Sequence, residues 1–116
     1  MPAANTSDMS AGSFYFDPNA NGIEVFLGPT EAQLMELAWR HESLTVKRAQ
    51  LFMGGESKKA YTTIMTVLAR LAGKGYLVRV KDGRSYIYRA AVDRKTFISE
   101  RIRDVRHCLD RQFPEA

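Results

Sequence analysis

The chain lacks the features that mark several classes of protein. Cys108 is the single cysteine among 116 residues. One thiol cannot close an internal disulfide or build a zinc cage, and it fits a reducing cytosol. Apolar runs are only a few residues long, as in Ala90-Ala91-Val92, so no segment is expected to span a bilayer. The opening MPAANTSDMSAG has neither the basic start nor the apolar stretch of a secretory leader. His41 and His107 have no partners at ligand spacing, so no bound metal is expected. Nucleophile elbows, paired-carboxylate sites and phosphate-cradling glycine loops are absent too, which argues against an enzyme and against a cofactor. Gly54-Gly55 and Gly73 read as turn and cap residues.

What is present is one domain's worth of chain with an uneven charge. Residues 1–29 hold Asp8, Asp17 and Glu24 and no Lys or Arg, for a charge of −3, while residues 30–116 carry +7. The excess peaks over residues 43–95, at +9. Such a stretch suits a polyanionic partner, or else is a solvated basic surface.

Residues 1–27 read as an N-terminal arm, small and polar except for Phe14, Tyr15 and Phe16 and a strand-like run from Ile23 to Leu27. Gly28-Pro29-Thr30 marks a boundary, with Thr30 expected to cap a first helix. Leu34, Leu37, Ala38 and Trp39 give that helix its core face, with Met35 on the flank. A second cap at Thr45 begins a short helix with Val46, Ala49, Leu51 and Phe52, stopped by Gly54-Gly55. In the third helix Ile64, Val67, Leu68, Leu71 and Ala72 are spaced for burial, while Thr62, Thr63, Thr66 and Arg70 point away. Two β-rich runs, Tyr76 to Lys81 and Arg84 to Arg89, flank an Asp82-Gly83 turn. Asp93 is expected to cap a last helix over about residues 94–112. Its Ile98, Ile102, Val105 and Leu109 form a seam. That seam could pack on the chain's own first helix or on a partner helix. The partner is preferred, because a helix beyond a compact three-helix core has little intrachain surface left to cover.

This order predicts an α+β fold, mainly α. It is a winged helix-turn-helix of three helices and a β-hairpin wing over residues 28–92, with an N-terminal arm (1–27) and an extra C-terminal dimerisation helix (93–116). A helix fits the DNA major groove, where base edges present distinguishable donors, acceptors and thymine methyls. Small hydroxyl residues allow close approach there. A basic hairpin tip, Lys81 or Arg84, can reach the flanking backbone or minor groove.

Several strings also match a known family. They are Thr30-Glu31-Ala32, Leu34-Met35 with Trp39, Leu44-Thr45-Val46, Ala60 to Leu71 followed by Lys74-Gly75, and Asp82-Gly83-Arg84 with Tyr86 and Tyr88. Over residues 27–95 the chain resembles the BlaI/MecI/CopY (penicillinase repressor) family of bacterial transcriptional regulators. The resemblance implies a cytoplasmic, homodimeric repressor on a pseudo-palindromic operator of double-stranded DNA. It implies that Thr62, Thr63 and Thr66 face DNA, and that Lys58, Lys59 and Arg84 contact phosphates. Arg70 joins them or pairs internally. Family members continue beyond the wing with further helices that hold the dimer interface and the proteolytic or metal-responsive switch, and this chain has room for one. The family's inducing mechanism is therefore not expected to carry over. The competing expectation is a winged-helix protein-interaction module that has lost DNA binding. An RNA-binding role lacks the interleaved aromatics of a base-stacking surface.

Overall fold

The computed structural model describes residues 15–54 and 60–116. These fall into two units: Gly28–Ala91, and the described residues up to Leu27 together with Val92–Ala116.

In the first unit, α1 spans Pro29–Arg40, α2 Val46–Phe52 and α3 Tyr61–Gly73, followed by strands β1, Leu77–Asp82, and β2, Ser85–Ala90. The α1 helix starts one residue before the expected cap. Pro29 has its φ already set for a first helical position, so Gly28 becomes the N-cap. Its N–H donates to Glu31 Oε1 at 3.3 Å. The other carboxylate oxygen of Glu31 holds Lys74 Nζ at 3.1 Å, tying the start of α1 to the end of α3. The buried face of α1 is Ala32, Leu34, Met35 and Ala38. Met35, expected on the flank, is fully buried, and Trp39, expected in the core, is half-buried. Met35 continues the row from Ala32 and is small enough to disappear completely, whereas an indole seldom does.

Thr45 caps α2 as expected, its Oγ1 accepting from the Arg48 N–H at 3.1 Å. Val46, Ala49 and Met53 are buried here, but Leu51 is 74% exposed and Phe52 43%. A helix of 7 residues has room for one buried stripe, and Val46 and Ala49 take it. Phe52 instead stacks on His41, with ring centroids 4.1 Å apart.

The α3 helix buries Ile64, Val67, Leu68 and Leu71 and packs against α1, α2 and β1. It ends in a Schellman turn. The Tyr76 N–H donates to the Leu71 carbonyl and the Gly75 N–H to that of Ala72, both at 3.0 Å. Gly75 takes the left-handed φ of 84° that this turn requires.

The strands pair antiparallel from Leu77↔Ala90 to Asp82↔Ser85. The connecting residues are therefore Gly83 and Arg84, one step on from the expected Asp82-Gly83. With φ of 65° at Gly83 and no positive φ at Arg84, the turn has the II′ pattern, glycine first. The step matters, because it sets which side chains share a face. Leu44, outside the hairpin, pairs with Tyr88 through two 2.8 Å backbone bonds.

In the second unit the expected strand at Ile23 to Leu27 is a 3-10 turn, Gly22–Val25. The segment satisfies its backbone locally: the Asp17 N–H reaches the Val25 carbonyl at 2.8 Å, and Phe26 N–H that of Ile23 at 2.9 Å. Of the three adjacent aromatics, Tyr15 and Phe16 are exposed, and Phe14 lies outside the described residues. The long helix α4 spans Arg94–Gln112. Asp93 caps it, its Oδ1 accepting from the Thr96 N–H at 2.8 Å. The Thr96 hydroxyl first, then this backbone bond, hold the Asp93 carboxyl below the usual aspartate value. Because the folded pKa is depressed, the cap's contribution is complete above the unfolded value and is lost as pH falls through the folded one. The Thr96 amide resonance should titrate with a midpoint below the ordinary aspartate pKa; a midpoint at or above it contradicts the cap.

Candidate nucleic-acid interface

The site builds outward from α3. Its buried side is fully used by Ile64, Val67, Leu68 and Leu71, so the opposite side must face solvent or a ligand. Thr62, Thr66 and Arg70 follow one another at i, i+4 spacing on that side, with Thr63 beside them, and all four are exposed. Arg70 has no side-chain partner among the described residues. Tyr61 and Met65, 49% and 43% exposed, form the adjoining row. Sequence reasoning passed over these two as site residues. Their signal was legible, since both sit one helical step from the threonines and off the buried stripe. Lys58 and Lys59 lie outside the described residues.

The hairpin supplies a second exposed surface. Arg84 is at its turn and exposed. Register places Leu77, Arg79 and Lys81 on one face with Tyr86, Tyr88 and Ala90, and Val78 and Val80 on the other with Ile87 and Arg89. Near the base, Leu77 and Tyr88 are buried. Toward the turn, the Arg79 guanidinium lies 4.4 Å from the Tyr86 ring centroid, and Lys81 Nζ 5.8 Å from it.

Charge is polarised along this unit. Between residues 61 and 91 there are 6 basic residues and one acid, Asp82, whereas Glu31, Glu36 and Glu42 lie in α1 or just beyond it. Among the described residues no group of His, Cys, Asp and Glu could hold a metal ion. No described helix is long and apolar enough to cross a membrane.

On α4, Ile98 and Val105 are half-buried, while Ile102 and Leu109 are each 51% exposed. With Phe16 and Phe26 of the same unit, the last three line an apolar groove of about 350 Å³, rimmed by Arg106 and Asp110.

Three helices followed by a two-stranded hairpin, with the third helix exposing a polar face, define a winged helix-turn-helix. The penicillinase repressor family model matches residues 27–114, and the chain belongs to that family. Over 63 residues the chain is 38% identical to the transcriptional regulator BlaI of Mycobacterium tuberculosis, covering 53% of this chain and 46% of that protein. Over 72 residues it is 29% identical to the penicillinase repressor of Bacillus licheniformis, covering 62% and 56%. The chain thus spans about half the length of the curated relatives it matches. The solved DNA-binding domain of the repressor BlaI aligns with a TM-score of 0.53 at 29% identity, covering 59% of this chain and 83% of that one.

Proposed function

We propose that this chain is a cytoplasmic, homodimeric transcriptional repressor that reads a pseudo-palindromic operator through α3 and the hairpin wing. The observation that carries this reading is the exposed polar face of α3, within the segment that matches the family. Thr62, Thr63 and Thr66 offer hydroxyls and methyls on a helix narrow enough for the major groove, and Arg70 extends the same row. Lys58 and Lys59, just before α3 in sequence, and Arg84 at the wing turn are assigned to phosphates. The near absence of acids between residues 61 and 91 favours a polyanion over a protein partner on this surface. The test is titration of the purified chain into fluorescent mixed-sequence duplex DNA. Binding that weakens steeply as salt rises is expected, and no binding at low salt contradicts the reading.

The dimer is assigned to α4, with Ile98, Ile102, Val105 and Leu109 at the interface. Exposed Ile102 and Leu109 are apolar area in need of cover. Arg106 and Asp110, one helical turn apart, have no partner among the described residues. A two-fold axis across the groove sets each against the opposite charge of a second copy. Ile102→Asp with Leu109→Asp should convert a dimer to a monomer in sedimentation at micromolar concentration. A variant that sediments like the wild type removes α4 from the interface.

A further inference from the structure

We propose that Tyr86 is a positioning residue of the wing, whose ring holds Arg79 and Lys81 as a paired cationic clamp for the phosphodiester backbone of duplex DNA. The inference rests on the DNA-binding reading and deepens it.

The register makes the cluster. Lys81 pairs directly across the ladder with Tyr86, and Arg79, two residues back on the same face, is its diagonal neighbour. Both cations lie within the range at which a ring quadrupole attracts charge, at 4.4 Å for Arg79 and 5.8 Å for Lys81. Two like charges at i, i+2 on one strand repel each other. Neither is neutralised, for among the described residues neither has a carboxylate partner. The ring is what keeps them together, and it is itself 38% exposed. It satisfies the cations without consuming their hydrogen bonds. A guanidinium resting on a ring uses its flat face, leaving its in-plane N–H groups free to donate to phosphate oxygens. A side chain already held in place also loses less freedom when a ligand arrives. The result is an exposed site with two positive charges and several free donors, while Asp82, the one acid of the hairpin, falls on the other face by register. That chemistry suits phosphate oxygens of a backbone rather than base edges, so the clamp contributes affinity and orientation, not sequence preference.

The experiment measures binding of the full chain to a mixed-sequence DNA duplex over a range of salt concentrations. Arg79→Gln and Lys81→Gln should each lower the slope of log affinity against log salt by about one. Tyr86→Leu keeps both charges but should weaken binding about two- to fivefold at fixed salt. Tyr86→Phe, which keeps the ring, should restore wild-type binding. A ring that only stabilises the hairpin predicts a lower melting temperature for Tyr86→Leu and an unchanged salt slope for both cation variants. That outcome overturns the clamp while leaving DNA binding intact. If Tyr86→Leu loses the hairpin, an unchanged salt slope in the two cation variants, at exposed positions, still overturns the clamp. A wild-type chain that ignores the duplex at low salt overturns the DNA reading and the clamp with it.

Discussion

Thr63→Ala and Thr66→Ala each weaken binding to the preferred DNA sequence by about 1–3 kcal/mol if they touch bases, with no loss of folding stability. Both are exposed on α3, so neither removes a core contact. Alanine is also the better helix former, so the melting temperature should hold or rise slightly. The diagnostic is the ratio between preferred and mixed-sequence DNA. A residue that reads bases lowers that ratio, whereas a phosphate contact lowers both affinities together. Competition titrations on the two duplexes give the ratio directly. Variants that keep the wild-type ratio show that these threonines are solvated helix residues.

Leu68→Ala has the largest expected effect on folding. Leu68 is 0% exposed at the centre of α3's buried stripe, where helix and wing elements converge. Truncation leaves a cavity, at a cost of about 2–5 kcal/mol, against a total stability of about 5–15 kcal/mol for an ordinary domain. Met65→Ala, three residues earlier on the exposed flank of the buried stripe and 43% exposed, is the matched control. A surface change of this kind moves stability by within about 0.5 kcal/mol. Urea unfolding should separate the two variants clearly. Similar midpoints for both contradict the placement of the buried face. Met65→Ala can still alter DNA binding, since Met65 borders the threonine row.

The elements whose ends carry their own chemistry were legible in the sequence. Asp93 announces α4, and its polar cap and long periodic pattern led to Arg94–Gln112. Gly73-Lys74-Gly75 closes α3 because Gly75 alone suits the left-handed position. The apolar stripe of Ile64, Val67, Leu68 and Leu71 likewise leaves Thr62, Thr63, Thr66 and Arg70 on the exposed side of α3. What stayed illegible depends on tertiary context. Asp-Gly is a strong hairpin signal, yet the turn settled on Gly83-Arg84, because burial of Leu77 and Tyr88 on one face fixes the register. The apolar run at Ile23 reads as a strand, but a strand needs a neighbour and this segment bonds to itself. Leu51 and Phe52 look like core residues in a list of apolar positions. Only the shortness of α2, with one stripe already taken, puts them outside. The Arg79–Tyr86–Lys81 cluster depends on the register and was invisible until the pairing was known.

We propose that two copies of this chain read one DNA sequence through α3. Selection of bound duplexes from a random pool by the purified full chain tests it most directly. An inverted repeat is expected, with half-sites separated by about one helical turn or a multiple of it. A single unsymmetrical half-site contradicts the dimer. A selected pool no richer in any motif than the starting DNA contradicts sequence reading itself, and leaves a winged helix that serves protein contacts instead.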